Sequence, residues 1–256
     1  MGKEIAIVMG ASSGMGRECV LQIAAKYPGL EELWVIARRK DRLEALVPMV
    51  GTMEVRPIVM DVTKKKELER LEKLLAEETP RVRIAALAAG CGYNGAFRDL
   101  QTDEVRNMVR LNDESLAVSM HLFLPYLNEG SKVLLFASSA AFAPQVNFGV
   151  YAASKSFVLS LARTLHYELR RDKICVTAVC PGPVETEFLA IASHGEAYDP
   201  LKAKFLVQPK DVVAKALKDM ERGRELSVYS TSMKLVRFAT KIVPHAWILW
   251  WESRGK

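Results

Sequence analysis

The sequence predicts an α/β protein, a single doubly wound domain on a mostly parallel seven-stranded sheet with a helical extension at its C-terminus. Three observations lead there. Short β-branched apolar runs alternate with longer helix-patterned segments from the first residues onward. The runs are almost continuously apolar, as in parallel strands covered on both faces. No linker-like break interrupts the alternation between about residues 4 and 230. The expected division is therefore 1–230 for the sheet-bearing domain and 231–256 for an amphipathic helical tail.

Taken in order, the strand-like runs are Ile5–Met9, Leu33–Ala37, Val55–Val59, Ile84–Ala88, Val133–Ala137, Cys175–Val179 and a weaker Leu226–Tyr229. Helical patterns lie between them; in Lys64–Glu78 the spacing of Leu68, Leu71, Leu74 and Leu75 puts four apolar side chains on one face. Sheets of this kind bind ligands beyond the carboxyl ends of their strands, near the point where the strand order reverses. Candidate functional residues are therefore those just after each strand.

Composition narrows the function. The chain has 256 residues, of which 50% are hydrophobic and 26% charged, an ordinary globular balance. Its net charge of +6 is spread along the chain with no basic run interleaved with aromatics, so nucleic acid is not an expected partner. The positive balance suits a phosphate-rich cofactor or an acidic membrane surface. Cys19, Cys91, Cys175 and Cys180 form no Cys-x-x-Cys pair and no His joins them at ligand spacing, so free thiols and no metal are expected. Met1–Glu4 lead straight into the first strand without signal-peptide architecture, and no apolar stretch reaches the ~20 residues of a membrane span. A cytoplasmic protein is expected, with peripheral membrane contact open to the tail.

After the first strand comes Gly10-Ala11-Ser12-Ser13-Gly14-Met15-Gly16, opening a helix. Glycines allow a tight turn and close approach of backbone amides to a pyrophosphate, and the helix N-terminus adds a favourable field. The placement makes this a Rossmann-type dinucleotide loop, although its spacing is Gly-x-x-x-Gly-x-Gly. The second strand ends in Arg38-Arg39, where an acidic residue would bind a ribose hydroxyl and arginine accommodates a 2′-phosphate. NADP(H) is thus favoured over NAD(H). Asp61, followed by Val62, is placed either to meet the adenine amino group or to cap the next helix.

The fifth strand ends in Ser138-Ser139, and Tyr151-Ala152-Ala153-Ser154-Lys155 follows on a helix. Tyr151 and Lys155, four residues apart, share a helix face. An ammonium beside a phenol favours phenolate and draws its pKa toward neutrality, which suits a general acid or base at a carbonyl. A strand-end serine can hold the substrate oxygen. Ser139 is the favoured serine, and Ser138 stands as its alternative.

Together these residues resemble the short-chain dehydrogenase/reductase family over roughly residues 3–222, in family order: the glycine loop, Asp61-Val62, Ala88-Ala89-Gly90, Asn112, the serine pair, Tyr151 with Lys155, and Pro181-Gly182-Pro183-Val184-Glu185-Thr186. The resemblance implies that Tyr151 is the acid/base, that Lys155 lowers its pKa and binds the nicotinamide ribose, and that Asn112 holds a relay water. It implies further that Ala89 and Gly90 border the cofactor, that Pro181 and Gly182 pass the nicotinamide, that Val184 meets the carboxamide and that Thr186 lies near the phosphates. It also implies a homodimer or homotetramer built through residues 102–128 and 151–171. Alanines replace the asparagine that usually precedes Gly90, which puts local rigidity in question.

A non-catalytic NADP(H)-binding sensor or scaffold is the alternative, disfavoured by the intact Tyr151, Lys155, Asn112 and serines. Substrate choice falls to residues 187–207, with Phe188, Leu189, Ile191, Tyr198 and Phe205; together with Ala140, Phe142 and Phe148 they suggest a hydrophobic ketosteroid, ketoacyl or aryl-ketone substrate. In the tail, Trp247, Trp250 and Trp251 lie near Lys234, Arg237, Lys241 and Arg254, and Pro244 should divide it into two helices. Packing on the fold, on a subunit or on a membrane surface are its open roles.

Overall fold

The computed structural model describes residues 2–195 and 206–254. The chain runs β1 (Glu4–Met9), α1 (Gly14–Lys26), β2 (Glu32–Ala37), α2 (Lys40–Glu44), β3 (Glu54–Val59), α3 (Lys65–Glu78) and β4 (Arg81–Leu87). It continues with α4 (Thr102–Val109), α5 (Ser115–Phe123), β5 (Leu127–Phe136), α6 (Gly149–Glu168), β6 (Cys175–Val179) and α7 (Glu187–Ala192). Last come α8 (Pro209–Glu221), β7 (Leu226–Ser227), α9 (Thr231–Ile242) and α10 (His245–Arg254).

The seven strands form one sheet in the order β3-β2-β1-β4-β5-β6-β7, and every pairing is parallel. The chain moves outward from β1 to β3, then crosses back to lay β4 on the other side of β1. The strand order therefore reverses between β1 and β4, and a crevice opens at their carboxyl ends. There the Ala88 amide donates to the Met9 carbonyl at 2.9 Å, continuing the pairing into the loops.

Helices cover both faces, as the unbroken apolar strands require. On one face Trp34, Leu71, Phe123 and Val158 pack into a core; on the other Val20, Ile23, Val213 and Met220 do so, all essentially without solvent exposure. Each such side chain contributes about 1.5–3 kcal/mol through burial. β5 begins earlier than its apolar stretch suggests, because the polar segment Asn128–Lys132 is held by bonds to distant parts of the chain rather than by pattern. The Ser131 hydroxyl donates to the Val82 carbonyl at 2.7 Å, and Gly130, at φ +83°, turns its amide to Lys173.

Beyond β7, Pro244 separates α9 from α10. Ser230 caps α9, its hydroxyl accepting from the Met233 amide at 3.3 Å. Met233 packs onto the core and against Gly182. α10 is tied down by Glu252, whose carboxylate accepts from the Val146 amide at 2.8 Å.

Candidate active site

A cleft of about 510 Å³ runs across the carboxyl ends of the strands, from Arg38 and Asp61 at one end to Phe188 and Ile191 at the other. It is lined by the glycine-loop residues Gly10, Ser12, Ser13, Gly14, Met15 and Gly16, by Arg38, Arg39, Asp61, Val62, Ala89 and Gly90, and by Ser138, Ser139, Tyr151, Lys155, Pro181, Gly182, Val184 and Thr186. The structure thus gathers residues scattered over most of the chain. Asn112 stands behind the wall, fully buried.

The glycine loop is a cradle that larger residues would fill. Gly10 has φ +79°, and a Cβ there would lie 2.6 Å from the Ala89 nitrogen. At Gly16 a Cβ would lie 2.1 Å from the Gly10 carbonyl oxygen, so the loop can curl onto the start of α1 only without a side chain. No side chain caps α1, leaving its first amides pointing at the cleft. Thr186 closes over the loop, its methyl 3.1 Å from where a Gly14 Cβ would stand. These features fit a dinucleotide pyrophosphate.

At the far side of the loop, Arg39 donates through Nε and Nη2 to the Ser12 hydroxyl at 3.2 and 3.0 Å, and through Nη1 to Glu187 at 2.8 Å. Arg42 binds the second oxygen of Glu187. These arginines, Arg42 foremost, hold the Glu187 carboxyl below its usual range. The pair is therefore an anion site in this structure, and Arg38 stands exposed beside it. Asp61 serves the turn it opens: its Oδ1 accepts from the Thr63 amide and hydroxyl at 3.2 and 2.7 Å, while the side chain still borders the cleft.

Tyr151 enters the cleft from the first turns of α6. Its ring stacks on Phe148 with centroids 4.3 Å apart and tilts against Phe188 at 5.3 Å. Gly92 makes room, since a Cβ there would meet the Tyr151 ring at 2.7 Å. The serine that pulls on the phenol through a hydrogen bond is Ser138, the alternative to the favoured Ser139. Ser138 has extended backbone at the end of β5, and its oxygen accepts from the Ala140 amide at 3.1 Å, which leaves the hydroxyl proton for Tyr151. Ser139 starts the following turn, its amide donating to the Pro181 carbonyl at 2.8 Å. Ser138→Ala is expected to lower kcat about 10²-fold, and Ser139→Ala to change it less than about threefold, in steady-state assays of the two variants.

Lys155 lies on the same face, its Nζ 5.7 Å from the Tyr151 ring centroid and donating to the Phe136 carbonyl at 2.9 Å. The expectation of a phenol drawn toward neutrality is not met. Burial pushes Tyr151 up to about 12, against the pull of the Ser138 hydrogen bond. The same burial brings Lys155 down to about 8. Desolvation is the largest cause of both shifts, because each group loses water on burial. Tyr151 is thereby kept as neutral phenol, the form that gives a proton.

Asn112 sits in a π-helical turn, Arg110–Glu114, between α4 and α5. Its amide nitrogen donates to the Cys91 carbonyl at 2.8 Å and to the Ser154 hydroxyl at 2.9 Å, and its oxygen accepts from the Cys91 amide at 2.9 Å. The side chain ties the loop after β4 to α6. It supplies rigidity to the loop that carries Gly90, with both amide protons used and one lone pair of Oδ1 left over.

Reading the sequence missed Asp113. Its Oδ1 is buried with no partner, and burial raises its carboxyl to about 6 while Lys155 pulls it back down. Its charge in turn counters the desolvation of Lys155. The acidic pair Asp113-Glu114 leading into the apolar helix α5 was the available signal. Phe142 is corrected as well: it packs on the core rather than lining the cleft. Phe148, Phe188, Leu189 and Ile191 do line it; Tyr198 and Phe205 lie outside the described residues. Among the described residues no cluster of His, Cys, Asp and Glu could hold a metal ion, and no helix is long and apolar enough to cross a membrane.

A family profile for short chain dehydrogenase matches residues 4–197. A glycine betaine reductase from Emericella nidulans is 31% identical over 82% of this chain, which spans only 17% of that much longer protein. A short-chain dehydrogenase from Sphingobium yanoikuyae, solved with NADPH, superposes with a TM-score of 0.78 at 23% identity, over 95% of this chain and 97% of its own. One from Burkholderia phymatum, solved with NAD, does so with the same score at 20% identity over 94% of each. With the cradle, the Tyr151–Lys155 pair and the parallel sheet in place, the profile match makes this chain a member of the short-chain dehydrogenase family of oxidoreductases.

Proposed function

We propose that the protein is an NADP(H)-dependent oxidoreductase that interconverts a carbonyl and a secondary alcohol on a hydrophobic substrate of ketosteroid, ketoacyl or aryl-ketone type. The observation that carries this reading is the neutral phenol of Tyr151, walled by Phe148 and Phe188 and hydrogen-bonded by Ser138. When bound, the nicotinamide supplies or accepts a hydride. Tyr151 gives its proton to the substrate oxygen in reduction and takes one in oxidation. Ser138 holds the same oxygen, and the Lys155 ammonium steadies the phenolate left when the proton has gone. The apolar rings exclude water and receive the hydrophobic flanks of the substrate.

The residues after the glycine loop support the phosphorylated cofactor. The solved relatives above carry NADPH in one case and NAD in the other, so the fold accommodates both, and the choice rests on Arg38 and Arg39. Arg39 already binds one carboxylate, and the 2′-phosphate offers a doubly charged anion of similar reach. Arg38→Ala/Arg39→Ala is expected to weaken NADPH binding about 10²-fold and NADH binding less than about twofold, measured by quenching of protein fluorescence. Oxidation of NADPH and NADH against hydrophobic ketones tests the whole reading. Activity with NADH alone would remove the NADP(H) assignment, and none with any ketone would remove the substrate class.

The reading extends to a homo-oligomer in the cytoplasm. Val109, Val118, Phe157 and Tyr167 are exposed on α4, α5 and α6, the helices the resemblance assigns to subunit contact, and the cysteines are all unbridged thiols.

A further inference from the structure

Among the described residues, exposed large hydrophobic side chains are concentrated on the two C-terminal helices, outside the site. α9 turns Met233 toward the core and presents Leu235, Phe238 and Ile242 outward, spaced by three and four residues. Phe238 is 64% exposed. α10 presents Trp247, Trp250 and Trp251 at 69%, 52% and 76% exposure. Large aromatic side chains left in water at this density mark an interaction surface.

Charge identifies the occupant. Residues 231–256 contain Lys234, Arg237, Lys241, Arg254 and Lys256 against a single acidic residue, Glu252, whose carboxylate is engaged by the Val146 amide. Lys234 and Lys241 are exposed on α9, where they flank its outward apolar row, and Arg254 stacks on the Trp250 ring at 3.8 Å. A second copy meeting this face by two-fold symmetry would set cations against the same cations with no carboxylate between them. An anionic bilayer surface offers phosphates to the lysines and an acyl boundary to the indoles.

We propose that α9 and α10 seat this protein on the surface of an anionic lipid membrane. The seat adjoins the cleft: Glu252 holds the loop between Gln145 and Phe148, which line it, and Met233 abuts Gly182 in its wall. A protein bound this way opens its mouth near the acyl boundary, where hydrophobic molecules concentrate. The binding itself does not depend on the oxidoreductase reading.

The test is sedimentation of the full chain with vesicles of phosphatidylcholine mixed with phosphatidylglycerol, against pure phosphatidylcholine, while tryptophan emission is followed. The expected result is binding at least about tenfold stronger to the anionic vesicles, with a blue shift and weakening in high salt. Lys234→Glu/Lys241→Glu should weaken it about tenfold or more, and Trp247→Ser/Trp251→Ser should remove the blue shift, with melting temperatures unchanged because these side chains are exposed. Equal binding to both vesicles, or none, overturns the proposal. So does a tryptophan-dependent doubling of mass in light scattering without vesicle binding, which would make the occupant a second copy.

Discussion

Tyr151→Phe is expected to lower turnover about 10²–10⁴-fold while leaving the fold and the cofactor affinity in place. The ring keeps its stacking on Phe148 and Phe188, so the only loss is a hydroxyl and its bond to Ser138. That bond stabilises the fold by about 1 kcal/mol. Steady-state kinetics beside a fluorescence titration with NADPH separates the two effects. Preserved binding with lost turnover identifies the phenol as proton donor; preserved turnover would move the acid elsewhere and with it the assignment of the site.

Lys155→Met is expected to abolish measurable turnover and to make the protein more stable. Burial has lowered this ammonium from its ordinary 10.5 to about 8, a destabilisation of about 3 kcal/mol at neutral pH. The methionine removes it but leaves the Phe136 carbonyl without its donor, at a cost of about 1 kcal/mol. The net gain is about 1–2 kcal/mol, or several degrees in Tm by calorimetry. The sign with pH follows from the lowered value. Below about 8 the lysine is charged in both states and the penalty is complete. Between about 8 and 10.5 the unfolded chain binds more protons, so the wild type gains stability with rising pH and the advantage of the variant shrinks. A Tm difference that stays constant across this window would show that Lys155 carries no buried charge.

The same group sets the expected pH profile. Carbonyl reduction should fall as pH rises through about 8, because a neutral amine no longer steadies the phenolate. Asp113→Asn removes the carboxylate that opposes the desolvation of Lys155 and should move that limb to lower pH. An unmoved limb would reduce Asp113 to a packing role.

The alternation of apolar runs was enough to place the strands, because a strand buried on both faces has no choice of composition. The edges of the pattern were less legible. β5 begins within Leu127–Lys132, where a serine and a positive-φ glycine do the work of side-chain pattern. In the site, Tyr151 and Lys155 could be read directly, since a four-residue spacing on one helix leaves them only one relation. Ser138 and Ser139 could not be separated, because adjacent strand-end residues point opposite ways and the backbone after Phe136 decides which one meets the phenol.

Sequence order alone was sufficient for the doubly wound sheet and for the spacings of the glycine loop and of Tyr151 with Lys155, because each follows from pattern along the chain. Three-dimensional packing settled what depends on long-range burial: the upward shift of Tyr151, the downward shift of Lys155 and the role of Asp113. It also placed Glu187 between Arg39, after β2, and Arg42, on α2, and left the tail tryptophans in water. The physical reason is the same in each case. A group's protonation and exposure follow from how much water its neighbours displace, and those neighbours come from distant parts of the chain.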